Sequence, residues 1–94
     1  PGDILLHEFM EPLGISQTQL AKDLDTTFRT INEIINYKRG ISPEMAVRLA
    51  RYFGTSEELW LNLQTQYELY RIKEKKKKAL ERVRAYTELH AATA

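Results

Sequence analysis

The 94-residue sequence predicts an all-α protein, five helices in one bundle with a helical extension at the C-terminal end. Three observations carry that expectation. Apolar residues recur at spacings of three and four in Leu20/Ala21/Leu24, in Ile31/Ile34/Ile35 and in Met45/Ala46/Leu49/Ala50/Phe53, the period of an amphipathic helix. Hydroxyl residues that accept from free backbone N–H groups stand before the helices, at Ser16, Thr27, Ser42 and Ser56. No stretch of alternating polarity competes as a strand.

Taken in order, Pro1-Gly2-Asp3 opens a first helix over residues 4–11, with Asp3 at its positive end. Ile4, Leu5, Phe9 and Met10 face inward, and Pro12-Leu13-Gly14 ends it. Ile15 precedes the second helix as an apolar staple. Residues 16–36 then hold two short amphipathic helices joined at Leu24-Asp25-Thr26, a link with room for a sharp corner and nothing more. Small Ala21 lets the third helix cross the second closely. This is the layout of a helix-turn-helix, whose second helix enters the DNA major groove. Gly40 is expected to be the left-handed residue that stops the third helix. Ser42-Pro43-Glu44 starts a fourth helix, which runs to Phe53 and is stopped by Gly54. Ser56-Glu57-Glu58 starts a fifth. Beyond it Leu80, Val83, Thr87 and His90 recur at helical spacing, so one further helix is expected.

Ser16, Gln17, Leu20, Ala21, Leu24 and Thr27 match the pattern S-Q-x-x-L-A-x-x-L-x-x-(S/T), and the stretch is similar to the helix-turn-helix of the Xre/lambda-repressor-like family. The family usually has Gly in the turn where this chain has Asp25, a residue that tolerates left-handed backbone. The resemblance then narrows. Pro1-Gly2-Asp3-Ile4-Leu5, the run from Glu11 to Gln17, the segment Asn36-Tyr37-Lys38-Arg39-Gly40-Ile41-Ser42, and Phe53-Gly54-Thr55-Ser56 followed by Trp60 to Gln64 and Tyr67 resemble HigA-type antitoxins. The likeness covers residues 1 to about 70. It implies a five-helix lambda-repressor-like domain that binds operator DNA as a homodimer. It also implies neutralisation of a HigB-type toxin, a ribosome-dependent mRNA endonuclease, with repression of the shared operon.

Carried onto this chain, the family's geometry makes Thr27, Phe28, Arg29 and Asn32 the base-contacting residues, with Glu33 at their edge. Arg29 suits a guanine edge and Asn32 an adenine edge; the alternative for both is solvated surface. Phe28 either meets a thymine methyl or turns back into the core. Ser16, Gln17, Asn36, Lys38 and Arg39 are expected phosphate contacts, at a helix start or just past a helix end; Ser16 is equally a plain N-cap. In the fifth helix Trp60, Leu63, Tyr67 and Tyr70 form one stripe beside Leu59. A helix of residues 57–72 is about 24 Å long, more than the core needs, so a two-fold partner is expected along it, with Leu61, Gln64, Tyr67 and Tyr70 at the seam.

Charge divides the chain. Residues 1–71 hold seven Lys/Arg against ten Asp/Glu, and residues 72–94 hold seven against three, within an overall net charge of +1. The expected organisation is a helix-turn-helix DNA-binding and dimerisation domain over 1–71 and a basic helical tail over 72–94. Local positive charge sits at Lys38-Arg39 and in the run Lys75 to Lys78. The tail is read as a DNA-backbone contact, a partner-docking segment or a solvated helix.

Composition excludes several classes. With no cysteine there is no disulfide, thiolate zinc site or cysteine nucleophile. His7 and His90 are the two imidazoles and lie far apart in sequence. Neither a metalloprotease motif nor a Gly-rich phosphate loop occurs. A non-enzyme with no cofactor and no metal is expected. No apolar run approaches the roughly 20 residues that span a bilayer, and a cytoplasmic location is expected. The chain opens on Pro1 without Met, so residues before it are expected; no secretory signal is visible. Two other functions stay open: a stand-alone Xre-family repressor without a toxin, and a protein adaptor that has lost DNA binding.

Overall fold

In the computed structural model the structure describes residues 1–91, and among them every regular element is helical. Three segments, Gly2–Ile4, Leu5–Met10 and Glu11–Leu13, run on as one rod, α1. Its middle segment is a π-helix, in which the Glu11 N–H reaches back five residues to the Leu6 carbonyl. That wider winding brings Leu5 and Met10, five residues apart, onto one buried face, while Ile4 and Phe9 are half-buried. Then follow α2 (Gln17–Asp23), α3 (Phe28–Ile35), α4 (Pro43–Phe53) and α5 (Glu57–Lys75). Ser16, Thr27, Ser42 and Ser56 each accept from the backbone N–H three residues on, at 3.0–3.1 Å, the caps the sequence predicts.

The core is built by Leu5 and Met10 of α1, Leu20 and Ala21 of α2, Ile31, Ile34 and Ile35 of α3, Met45, Ala46, Leu49 and Ala50 of α4, and Trp60 of α5. Phe9 and Phe53 lie against Trp60, with ring centroids 4.9 and 6.1 Å away, and tie α1, α4 and α5 together. Gly2 has a specific task. A β-carbon there would stand 2.6 Å from the carbonyl oxygens of Ile34 and Ile35, so only glycine lets α1 start against the end of α3.

One helix end departs from expectation. The residue with left-handed backbone after α3 is Tyr37 (φ 59°), not Gly40. The Lys38 N–H bonds back to the Glu33 carbonyl at 2.8 Å, closing the end of α3 three residues earlier than Gly40 would. Tyr37 is held there from two sides: its hydroxyl accepts from the Asp3 N–H, and its ring packs on Tyr67 at 4.8 Å. Gly40 instead lies close against the Gln64 side chain: a β-carbon would fall 2.8 Å from its amide nitrogen, and the amide would have to shift. At the other corner Asp25 takes left-handed backbone (φ 56°), with the Thr26 N–H bonded to the Ala21 carbonyl.

The C-terminal region also differs. The expected single helix through Leu80, Val83, Thr87 and His90 does not form. Two short helices stand there, α6 (Lys77–Glu81) and α7 (Tyr86–Leu89), separated by non-helical residues 82–85. Every described residue after Tyr67 is exposed, so no core contact enforces a continuous helix. The last three residues assigned to the tail lie outside the described residues. The expected stripe of α5 is cut short in the same way: Trp60 is buried, Leu63 and Tyr67 are half-buried, and Tyr70 is exposed.

Candidate nucleic-acid interface

The helix-turn-helix corner is fastened from three directions. Leu20, Ala21 and Leu24 meet Ile31 and Ile34 in the core. On the outer side the Asn32 amide donates to the Gln17 Oε1 at 3.0 Å, joining α3 to the start of α2. From α4, the Arg48 guanidinium donates to the carbonyl oxygens of Leu24 and Asp25 at 2.9 and 2.8 Å, and to Glu44 at 3.1 Å. Carbonyls at a helix end lack intrahelical donors, and Arg48 satisfies two of them at the turn. Sequence inspection missed this residue because its targets lie 23 and 24 positions away; the Glu44–Arg48 spacing was its sole local signal.

The outward face carries the expected base-contacting residues. Phe28 is 51% exposed, so of the two positions open to it from the sequence it takes the outward one. The Arg29 side chain is 84% exposed at the first turn of α3. Thr27 is a working N-cap and also shares a hydrogen bond with the Thr30 hydroxyl at 2.9 Å. Asn32 is half-buried through its bond to Gln17, which leaves its amide oxygen for other partners. Among the expected phosphate contacts, Ser16 accepts as an N-cap and keeps its hydroxyl hydrogen to donate, and the Asn36 amide donates to the Asn32 carbonyl at 2.9 Å. Lys38 is exposed.

Glu33 is the residue on this face that sequence inspection underrated. Its carboxylate accepts from Arg39 at 2.9 and 3.2 Å and lies 3.6 Å from Arg29. The hydrogen bond from Arg39, aided by the charge of both arginines, holds the Glu33 carboxyl below its ordinary range against a smaller opposing effect of burial.

The four expected seam residues do not share a face. Gln64 is buried within the protomer, where its Oε1 accepts from the Ile41 N–H at 2.9 Å and its amide donates to Glu68 at 3.0 Å. Tyr67 packs on Tyr37 and under the Arg71 guanidinium, 5.6 Å from the ring centroid. Leu61 and Tyr70, nine residues apart, fall on opposite sides of α5. The apolar residues that do align with Leu61 are exposed Leu69 and Ile72.

Among the described residues no group of His, Asp or Glu side chains could hold a metal ion, and no helix is long and apolar enough to cross a membrane.

Comparison with known proteins agrees with this geometry. Residues 6–60 match the family model described as Helix-turn-helix. Virulence-associated protein I of Dichelobacter nodosus is 48% identical over 69 residues, which cover 73% of this chain and 64% of that protein. The match therefore spans less than two thirds of that relative's length. Antitoxin HigA of Pseudomonas aeruginosa, solved with the higBA promoter, superposes with a TM-score of 0.86 at 41% identity, covering 92% of this chain and 94% of that one. An addiction module antidote protein of a HigA family from Coxiella burnetii gives a TM-score of 0.86 at 39% identity, covering 92% and 95%. With the capped corner, the crossing helices and the exposed face of α3 all in place, the chain belongs to the Xre-type helix-turn-helix family, in the group that includes the HigA antitoxins.

Proposed function

We propose that this protein is the DNA-binding antitoxin of a type II toxin–antitoxin system: it binds its own operator as a homodimer and neutralises a HigB-type mRNA endonuclease. The observation that carries the DNA half is the first turn of α3, where Phe28 and Arg29 project from a corner whose every other side is fastened. A related chain of the same fold, 41% identical, is known with its promoter. Thr27, Phe28, Arg29 and Asn32 read base edges; Ser16, Gln17, Asn36 and Lys38 hold the backbone, with Arg39 beside them engaged by Glu33. The toxin half is supported by likeness to the HigA proteins. The protein is not an enzyme and acts in the cytoplasm. Residues 1–71 form the DNA-binding and dimerisation unit and the basic residues from 72 onward a tail. Pairing runs along the exposed outer half of α5, where Leu69, Tyr70 and Ile72 stand.

The test is a titration against the native promoter duplex and a scrambled duplex at two salt concentrations. Tight, palindrome-dependent binding by two chains per site is expected. Co-purification of a small toxin separates the antitoxin from a stand-alone repressor. Equal weak binding to both duplexes would move the assignment to a protein adaptor.

Two substitutions sort the contacts. Arg29→Ala should cost about 1–3 kcal/mol at one operator position and relax specificity there. An equal loss on all sequences would make Arg29 a backbone contact. Lys38→Ala should weaken specific and random duplexes alike and flatten the salt dependence by about one unit of slope; an unchanged slope removes Lys38 from the backbone set.

A further inference from the structure

Glu33 places a carboxylate on the surface that the proposed function assigns to a polyanion, and it engages two of the cations that surface offers. The two engagements are unequal. Arg39 is held by two short bonds, at 2.9 and 3.2 Å, whereas Arg29 is held by one loose contact of 3.6 Å. Glu33 sits one helical turn beyond Arg29 on the outward face, and Arg39 reaches it from the loop after α3. Non-specific binding to duplex DNA comes almost wholly from cations meeting phosphates. A phosphate that approaches this face must displace a carboxylate already bonded to Arg39, and it meets that carboxylate's own charge. A guanine edge needs only Arg29, whose contact with Glu33 is weak, and two hydrogen bonds to the base more than replace it.

We propose that Glu33 is a specificity-determining residue, which holds Arg39 and, more loosely, Arg29 so that binding to DNA of the wrong sequence is suppressed more than binding to the operator. The pair acts as built-in competition for phosphates. Freed from it, Arg39 is an ordinary backbone clamp and Arg29 meets any phosphate it reaches. The inference rests on the DNA-binding assignment above.

The experiment measures Glu33→Gln against wild type on the promoter duplex and on a scrambled duplex, across a range of salt. Glutamine keeps the shape and removes the charge. The variant should bind scrambled DNA about tenfold tighter, with a salt dependence steeper by about one to two units as one or both arginines become available. Operator affinity should change by less than about threefold, so the discrimination ratio falls. Adding Arg39→Ala to the variant should abolish most of the gain on scrambled DNA. Glu57→Gln, a removal of one negative charge at the start of α5, should leave the ratio alone. Unchanged affinity and slope for Glu33→Gln on scrambled DNA would overturn the inference while leaving the DNA assignment standing. So would an equal gain from Glu57→Gln, or a gain that survives Arg39→Ala. Wild-type protein that binds neither duplex overturns the DNA assignment and this inference together.

Discussion

Trp60→Ala should lower the unfolding free energy by about 3–5 kcal/mol, the largest effect of any single truncation in this core. Trp60 is fully buried and faces Phe9 and Phe53, and its indole N–H donates to the Thr55 hydroxyl at 2.8 Å. The alanine variant loses the transfer free energy of the indole and leaves a void that three helices from distant parts of the chain must close. Small domains hold about 5–15 kcal/mol in all, and a chain of 94 residues in which every described residue after Tyr67 is exposed starts from a reduced core. The variant should therefore be substantially unfolded near body temperature. Far-ultraviolet circular dichroism during urea denaturation is the suitable probe, because Trp60 is the chain's single tryptophan and its fluorescence is lost with it. A shift in midpoint at constant slope is expected. Trp60→Phe keeps the aromatic partners and drops the bond to Thr55, so it should lose less than half as much. A midpoint within error of wild type for the alanine variant would mean that the α1–α4–α5 junction contributes little to stability.

That junction shows where the fold was legible in the sequence. Trp60 and Phe53 announced themselves through helical spacing and the caps around them, and a cap is a local signal because donor and acceptor lie three residues apart. The apolar faces of α2, α3 and α4 were legible for the same reason. What could not be read depends on contacts between remote residues. Gly40 looked like the stop of α3, since Gly is the usual residue with left-handed backbone; Tyr37 takes that conformation because Asp3 and Tyr67, from both ends of the domain, hold its side chain. Tyr70 belonged to a regular stripe, yet the stripe outlasts the core. Spacing reports which residues share a face and is silent on where the neighbouring layer ends.

The candidate interface divides along the same line. Arg29, Phe28 and Lys38 point outward, as position on α3 or just past it requires. Glu33 and Gln17 acquire their settings from pairing. The first joins a residue four positions before it to one six positions after it, and the second bonds to Asn32, fifteen residues on. Gln17 thus serves the corner through its amide oxygen, and Asn32 has one amide hydrogen already committed to it.

Arg48→Ala should destabilise the protein by about 2–3 kcal/mol although Arg48 lies in neither helix of the motif. Hydrogen bonds from a charged donor are worth about 1.5–3 kcal/mol each, and Arg48 makes two, to the Leu24 and Asp25 carbonyls, at the corner where Asp25 holds left-handed backbone. The side chain is 35% exposed, so water replaces part of what is lost and the sum is discounted accordingly. Arg48→Lys should recover less than half, because one ammonium on a flexible stem does not reproduce a rigid guanidinium whose Nη1 meets both carbonyls while its Nη2 is anchored on Glu44. The effect on DNA follows from position. Loosening the corner lets α3 tilt against α2, so operator affinity should fall with stability. The salt dependence should keep its wild-type slope, since Arg48 is bonded to the protein's own carbonyls. A flatter slope would instead place Arg48 on a phosphate, and an unchanged denaturation midpoint would show that the corner is held by its apolar residues alone. The two readouts separate because one counts ions released from DNA and the other reports the turn itself.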